Sequence, residues 1–353
     1  MAYTTIDDPS EYFTTTLYTG NGNDNRGITN SANAGNFQPD WLWYKERSST
    51  SSHRVFDSSR GASKRIEPDT TTQEETDTSN QKSFDSNGFT VGTSGSTNAN
   101  GDTYVAWQWK ANGGTATATI SESGSNPAAS VQANTTAGFS IITYTGTGSQ
   151  GTIAHGLGAT PKFIVAKNRD AGEGWIIDSS IITGNSNGTL HFNTDGEYTG
   201  GSNQFGAHSS TNITIKTAGN INTDGQKYVA YCFAEKQGYS KFGFYEGNGN
   251  NDGTFVYLGF KPAWFMCKSI DTANSDQGWN IFDTKRDGYN VDNDQLLAND
   301  GGAEVTTDRL DILSNGVKMR NSGTQTNSAQ TYIYIAFAEN PFVSSKGVPT
   351  TAR

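Results

Sequence analysis

Three aspartates follow apolar stretches at places that recur along the chain, and a carboxylate at such a place could act as a base or bind a cation. Asp57 closes "RVFD", Asp178 closes "WIID" and Asp283 closes "NIFD". A carboxylate after a strand is also a common turn-capping group, because it accepts hydrogen bonds from backbone N–H groups. Since turn capping is the simpler explanation of an aspartate that recurs after an apolar strand, we predict a structural role for these aspartates.

Three lysines also recur, each at the end of an apolar stretch that starts at a proline. They are Lys45, Lys167 and Lys268. A lysine at a strand end normally holds its stem on apolar surface and its ammonium group in water. We therefore predict three solvated cations.

Metal sites and nucleophilic sites have little support in the sequence. The loops "GNGNDN" at 20–25 and "GNGNND" at 247–252 are rich in oxygen ligands, but neither has the spacing of an EF-hand, so calcium binding stays open. The histidines lack metal-ligand spacing, and they are His53, His155, His191 and His208. With no nucleophile elbow, phosphate-binding loop or dinucleotide fingerprint present, we predict no catalytic, cofactor or metal site.

The aromatic run "FQPDWLWYK" at residues 37–45 could stack on sugar rings or form a core strand. The equivalent stretches read "FIVAK" and "WFMCK", so this place requires bulk rather than a flat ring, and we predict a core strand. Successive side chains of a strand point to opposite faces, which leaves one face unassigned. The candidates for a ligand or partner contact are Tyr44 of this run and the pair Trp107 and Trp109, which share one strand face.

Four anchors recur three times in the same order, which predicts three copies of one unit. The first is a strand ending in a turn, which reads "YFTTTLYTGNG", "GFSIITYTGTG" and "YSKFGFYEGNG". The second runs from a proline to the lysine, at Pro39 to Lys45, Pro161 to Lys167 and Pro262 to Lys268. The third is the apolar run closed by aspartate. The fourth is a closing strand that begins at Tyr104, Tyr228 and Tyr334.

The composition favours short strands joined by tight turns, because the 353 residues include 41 glycines and 11% aromatic residues. We predict an all-β protein of three tandem antiparallel β-sandwich, jelly-roll-like units of about 100 residues. The predicted boundaries are 1–112 for unit 1, 113–136 for a Gly/Ala/Ser/Thr-rich linker, 137–238 for unit 2, and 239–353 for unit 3 with a short tail. The closing strands are apolar at nearly every position, which predicts that a neighbouring unit or subunit covers their second face.

The formal net charge of -10 disfavours binding to nucleic acid or to an anionic membrane, since phosphate binding needs clustered Lys and Arg. Cys232 and Cys267 lie in apolar stretches and are expected to be buried thiols, with a single disulfide left open. The N-terminus lacks the features of a signal peptide, and no stretch approaches the about 18 apolar residues of a membrane helix. We expect synthesis in a cytoplasm and no membrane insertion.

Residues 12–111 carry a specific resemblance to a known family. Their "YFTTTLYTGNG", "FQPDWLWYKERSSTSSHRVFDSSRGA", "SFDSNGFTVG" and "GDTYVAWQWKA" stretches resemble a repeated β-rich domain of marine bacteriophage virion structural proteins, of the cyanophage and pelagiphage type. Units 2 and 3 look like diverged copies, since they keep the anchor order but lack the "SHRVFDS" stretch. The resemblance implies a virion component and brings no catalytic residues.

We therefore expect a non-enzymatic virion structural protein, made in the host cytoplasm and released by lysis. A tail fibre or tail attachment component, with a possible role in host recognition, is the first hypothesis. The alternatives are a capsid decoration (cement) protein, an array of glycan-binding modules and a glycan depolymerase. The expected partners are other virion proteins, further copies of the chain in a homo-oligomer, and a host surface glycan.

Overall fold

The computed structural model describes residues 3–30, 37–178, 188–200, 203–272, 277–286 and 290–350. In these ranges the regular structure consists of strands, apart from two four-residue helices and a 3-10 turn at Pro9–Glu11. The prediction of an all-β protein is confirmed. No helix in the described ranges is long and apolar enough to cross a membrane.

The described residues of unit 1 form nine strands and one α-helix. They are β1 (Phe13–Thr19), β2 (Arg26–Thr29), β3 (Trp41–Glu46), β4 (Arg54–Asp57), β5 (Lys64–Arg65), β6 (Glu75–Thr76), β7 (Gln81–Asp85), β8 (Gly88–Val91), α1 (Gly95–Asn98) and β9 (Thr103–Trp109).

In unit 2 the order is similar, with two additional strands in front. The elements are β10 (Ala118–Ile120), β11 (Ala129–Asn134), β12 (Phe139–Thr145), β13 (Gly151–Ala154), β14 (Phe163–Asn168), β15 (Ile176–Asp178), β16 (Thr189–His191), β17 (Asn212–Ile215), α2 (Gly219–Asn222) and β18 (Lys227–Phe233).

Unit 3 follows without a linker and has the longest strands. They are β19 (Ser240–Glu246), β20 (Phe255–Tyr257), β21 (Phe260–Ser269), β22 (Asn280–Asp283), β23 (Asp292–Leu297), β24 (Val305–Leu313), β25 (Gly316–Met319) and β26 (Thr331–Pro341).

The main sheet has the same antiparallel strand order in each unit, with the last strand between the first and the second long strand. The three orders are β1-β9-β3-β4, β12-β18-β14-β15 and β19-β26-β21-β22. A second strand pair packs on each main sheet, namely β2–β8, β13–β17 and β20–β25. In unit 3, β23 and β24 join both layers into one eight-stranded sheet. One topology therefore occurs three times.

The turn after the first strand is built alike in the three units and explains the glycine of the first anchor. A Cβ on Gly20 would lie 1.9 Å from the carbonyl oxygen of Ala99, so only glycine fits. Asn98, which is fully buried, accepts a hydrogen bond from the amide of Asn21 and donates to the carbonyl of Gly92. Asn222 and Asn327 make equivalent bonds in the other units.

A stacked tyrosine pair joins the first and last strands of each main sheet. The ring centroids are 5.2 Å apart for Tyr18 and Tyr104, and 5.0 Å apart in the other two pairs, which are Tyr144 with Tyr228 and Tyr245 with Tyr332. Each first-strand tyrosine donates its hydroxyl to a carbonyl near the short helix or turn. These pairs set the register of the closing strand, which in unit 3 places Tyr332 rather than Tyr334 at the position of Tyr104. The fourth anchor of unit 3 therefore begins two residues earlier than the sequence pattern indicated.

Each unit has a small core between its two layers, to which β3 and its equivalents contribute one face. In unit 1, Leu42 and Tyr44 pack there with Phe56, Phe89 and Val91. Separate cores of the same kind lie in units 2 and 3. This accounts for one of the two faces of the aromatic run.

The other faces of the three main sheets meet in one shared core. Trp41 of unit 1 lies 4.8 Å from Tyr231 of unit 2, and Phe337 of unit 3 lies 5.4 Å from Phe13 and 5.7 Å from Phe233, measured between ring centroids. All seven tryptophans of the chain lie in this core, namely Trp41, Trp43, Trp107, Trp109, Trp175, Trp264 and Trp279. The second apolar face is thus covered by neighbouring units of the same chain, and the three units pack as one body.

The segment 113–136, which we predicted to be a linker, is part of the sheet of unit 2. Its strands β10 and β11 form a hairpin, and β11 pairs with β12 along its length. The segment has the composition of a linker because most of its residues are small. Alternate residues of β11 nevertheless pack inward, since Ala129 and Val131 lie in the core of unit 2. Unit 2 is therefore larger than the sequence boundary indicated.

Candidate functional site

The three predicted contact residues all lie in the protein interior. Tyr44 has no exposed surface and donates its hydroxyl to Gln81. Trp107 and Trp109 do share one face, as predicted, but that face is the shared core, where both side chains are at most 1% exposed. A ligand on the protein surface does not reach any of these three side chains.

The three interfaces between units are cyclic, because a long loop of each unit reaches the next one. The loop of unit 1 contacts unit 2, that of unit 2 contacts unit 3, and that of unit 3 returns to unit 1. The same backbone bond marks each contact: the amides of Glu74, Tyr198 and Glu304 donate to the carbonyls of Arg169, Ile270 and Arg47. We name these contacts the 1–2, 2–3 and 3–1 interfaces.

At the 1–2 interface, four charged side chains form an ion-pair chain, of which Asp57 and Arg60 are buried and Glu74 and Arg169 are partly buried. Asp57 binds Arg60 at 2.5 Å, Arg60 binds Glu74 at 3.1 Å, and Glu74 binds Arg169 across the interface at 2.7 Å. Asp57 also accepts a hydrogen bond from the hydroxyl of Tyr231 in unit 2. Burial opposes the charge of Arg60, but Asp57, Tyr231 and Glu74 together outweigh it and raise the pKa of Arg60.

An equivalent ion-pair chain lies at the 3–1 interface. Asp283 binds Arg286 at 2.6 Å, Arg286 binds Glu304 at 2.9 Å, and Glu304 binds Arg47 of unit 1 at 2.6 Å. Trp107 takes the place of Tyr231, since its indole N–H donates to Asp283 at 3.0 Å. Both recurring aspartates also accept backbone N–H bonds from the turn that follows, so their predicted capping role is present together with a role between units that the sequence pattern did not indicate.

The 2–3 interface lacks this ion-pair chain in the described residues. Tyr198 and Ile270 occupy the places of the glutamate and the arginine, and both pack against the shared core. Ile335 takes the place of Trp107 and Tyr231. This interface is therefore mainly apolar.

Asp178 is not equivalent to the other two aspartates. The pairing of Val165 with Ile177 matches that of Trp43 with Val55, so Asp178 occupies the place of Phe56. It points into the core of unit 2, where one carboxylate oxygen lies 3.4 Å from Nε2 of His208. The aspartate of the third anchor therefore lies one residue earlier in unit 2 than in units 1 and 3. The similarity of "WIID" to "NIFD" led to the wrong alignment.

The prediction that the three recurring lysines are solvated was wrong. Lys45, Lys167 and Lys268 are fully buried, and burial lowers the pKa of each to about 8. Their ammonium groups donate to backbone carbonyls, and two of these bonds cross an interface: Lys167 to Thr71 at 3.0 Å, and Lys268 to Asp195 at 2.8 Å. The strand end is covered by the loop of the preceding unit, which a strand-based argument cannot foresee.

One ring N–H from each unit also binds the loop of the preceding unit. The indoles of Trp175 and Trp279 donate to the carbonyls of Glu67 and His191, at 2.7 and 2.8 Å. At the third interface the ring of His53 lies 2.9 Å from the carbonyl of Leu297. His53 accepts the indole N–H of Trp43 on Nδ1, so Nε2 carries the proton that binds Leu297. Burial holds the pKa of His53 well below its usual value, which keeps this ring neutral.

The remaining sequence candidates lie in separate places. Among the described residues, no three His, Cys, Asp or Glu side chains are grouped so that they could hold a metal ion. Cys232 and Cys267 are free, buried thiols in the cores of units 2 and 3, and burial raises the pKa of both.

The surface holds aromatic residues that the sequence reasoning missed. In the described part of the chain, the large hydrophobic side chains that are exposed include Phe244, Phe255 and Tyr257 of unit 3. The alternation in "GTFVYLG" could have indicated two of them, because only Val256 of that strand points into a core. Elsewhere on the surface, a cleft of about 370 Å³ is lined by Tyr12, Lys110 and polar residues of the 133–136 turn.

Comparison with protein families gives one match, to a family described as a domain of unknown function, DUF7483. The match runs from residue 8 to residue 341 and so includes all three units. The chain belongs to this family. Its defining domain is therefore the three-unit body and not a single repeat, in agreement with the shared core. A comparison with curated proteins gives no match.

Proposed function

We propose that this member of the family is a non-enzymatic structural protein of a bacteriophage particle, located in the tail, where it acts as a fibre or attachment component. The supporting observation is the cyclic packing of three like units around one core. Proteins on rotational axes of an assembly present the same surface several times, and this chain presents a threefold-related body as a single polypeptide. The resemblance of residues 12–111 to phage virion proteins supports the same proposal. The proposed location is the virion, and the proposed partners are other virion proteins.

Purified particles provide the test. The chain should be found among the proteins of purified virions, and immunogold labelling should locate it on the tail. Labelling on the head would instead locate the chain on the capsid, as expected for a decoration protein. Absence of the chain from purified virions would overturn the proposal.

The exposed aromatic residues of unit 3 favour a second candidate function, the binding of host surface glycans. Phe255 and Tyr257 lie two residues apart on one strand and are 41% and 52% exposed. Aromatic side chains on a surface can stack on sugar rings. A glycan array probed with the protein and with a Tyr257→Ala variant tests this function, with Val305→Ala as the matched control at another exposed site. Because all seven tryptophans are buried, tryptophan fluorescence is not a suitable readout.

A further inference from the structure

Each unit has a seam between its first strand and the strand that follows, where the two layers of the sandwich meet. In unit 2 this seam separates β12 from β13, and in unit 3 it separates β19 from β20. These strands are not paired with each other in either unit. The two seams are equivalent, since the strand orders on both sides are the same.

In unit 2 the seam is filled by an additional strand. β11 pairs antiparallel with β12 from Asn134 opposite Phe139 to Ala129 opposite Tyr144. Its alternate residues Ala129 and Val131 pack into the core of unit 2, to which Ile153 of β13 also belongs. The added strand therefore pairs with the edge of the main sheet and contributes side chains to the core between the layers, while its other edge pairs with β10.

No strand of the described chain fills the seam of unit 3. β19 is the edge strand of its sheet, and β20 is the edge at the other end of the same sheet. Two side chains bridge them: Lys241 donates to the carbonyl of Tyr257 at 2.8 Å, and Thr254 donates to the carbonyl of Glu246 at 2.6 Å.

The backbone of Phe244 lies between these two bridges and points outward. In an antiparallel pair, alternate residues exchange hydrogen bonds with the partner strand. Since Gly247 bonds to Gln330 and Ala338 to Tyr239, the odd-numbered residues of β19 bond to β26. The N–H and C=O of Phe244 therefore face the seam, and they have no hydrogen bond within the described residues.

Exposed aromatic side chains surround this free edge. Phe244 is 55% exposed, and Phe255 and Tyr257 belong to the strand on the other side of the seam. Proteins usually protect a free edge strand with charges, prolines or bulges, because an open edge pairs with other chains. An open edge with exposed apolar side chains instead suits strand addition.

We propose that the seam of unit 3 accepts an extended segment of another protein, which pairs antiparallel with β19 as β11 pairs with β12. The segment carries small apolar side chains at alternate positions, as β11 does, and its main chain supplies the hydrogen bonds. Binding displaces the Lys241 and Thr254 bridges. A glycan on the exposed rings is the competing occupant, but it does not need the free backbone of Phe244.

The test uses the full-length protein and a fluorescently labelled peptide with the sequence of residues 127–136, "PAASVQANTT". Saturable binding is expected, and a Phe244→Lys substitution should weaken it about tenfold or more by placing a charge on the edge. Val305→Lys is the matched control, since Val305 is 53% exposed at a site away from the seam. Hydrogen exchange should show new protection of the Phe244 amide when the peptide is bound.

Three results would overturn the proposal. The first is the absence of saturable binding to the unsubstituted protein. The second is equal binding by the Phe244→Lys and Val305→Lys variants, which would mean that the peptide displaces β11 in unit 2 or binds elsewhere. The third is binding without protection of the Phe244 amide, which would indicate contact through side chains alone. None of these results depends on whether the chain is a virion protein.

Discussion

The 3–1 and 2–3 interfaces occupy equivalent places but are held together differently. At the 3–1 interface, the buried pair Asp283 and Arg286 continues into the partly buried pair Glu304 and Arg47 to form an ion-pair chain. At the 2–3 interface, Tyr198 and Ile270 replace the glutamate and arginine and join the shared core. Buried ion pairs contribute little net stability relative to apolar contacts, because desolvation offsets the Coulomb attraction. We infer that the charged interfaces define how the units fit and that the shared aromatic core supplies most of the stability.

The largest effect is expected when one member of the 3–1 ion-pair chain is removed. Arg286→Met should lower the free energy of unfolding by about 3–5 kcal/mol, because it leaves the buried Asp283 carboxylate without its cation. Urea unfolding measures the loss. The double variant Asp283→Asn/Arg286→Met should recover most of it, since neither of the two buried positions then carries a charge, Glu304 keeps its partner Arg47, and the introduced asparagine can still accept the turn amides. A single variant with unchanged stability would contradict the buried geometry.

The three buried lysines predict stability that rises with pH. Their pKa values are about 8 in the folded chain and about 10.4 when unfolded. Between these values the unfolded chain holds more protons, so raising the pH stabilises the folded state. The gain should be about 1 kcal/mol per lysine between about pH 7.5 and 9. Above that range, buried tyrosines with raised pKa values, such as Tyr239, act in the opposite direction.

Single substitutions assign this pH dependence to the interfaces. Lys268→Met should remove about one third of the rise in the free energy of unfolding with pH. It should also destabilise the protein less than Lys45→Met at neutral pH. The reason is that Lys45 lies near four acidic groups, Glu46 first and then Asp69, Asp300 and Glu304, whereas Asp195 is the acidic group near Lys268. Equal slopes for the original protein and a triple Lys→Met variant would refute the assignment.

A smaller effect is expected from the ring N–H bonds, which the interfaces have in common. Trp279→Phe should cost about 1–2 kcal/mol, because the carbonyl of His191 loses its donor in a partly buried place. Trp175→Phe makes the same change at the 1–2 interface. The losses in the free energy of unfolding that the two variants cause, measured by thermal and urea unfolding, should agree with each other within about 0.5 kcal/mol. A much larger cost at the 2–3 interface would mean that this bond compensates there for the missing ion pairs.

The sequence was sufficient to predict the all-β fold and the core strand "WLWYK", because strand composition and turn glycines act locally. It was insufficient for the surroundings of Lys45, Lys167 and Lys268, which depend on loops of the preceding unit that are distant in the chain. It also misplaced Asp178, since one residue of register changes the face of a strand without changing the letters of the pattern. Tyr44, Trp107 and Trp109 were predicted as possible contacts for a related reason: two buried faces cannot be told from one buried and one exposed face when aromatic residues stand on both faces, as Trp43 and Tyr44 do.

The smallest expected effect comes from introducing a charged pair into the apolar interface. Tyr198→Glu and Ile270→Arg, made together, place at the 2–3 interface the residue types of Glu304 and Arg47. Each single variant should lose stability, because it puts a lone charge at the edge of the shared core. The double variant should be more stable than the sum of the two losses by about 0.5–1 kcal/mol, as for other partly exposed ion pairs. The double variant should nevertheless be no more stable than the original protein. The described residues of the 2–3 interface contain no equivalents of Asp283 and Arg286 that could extend the new ion pair into an ion-pair chain. A gain over the original protein would mean that the charged interfaces contribute stability as well as fit.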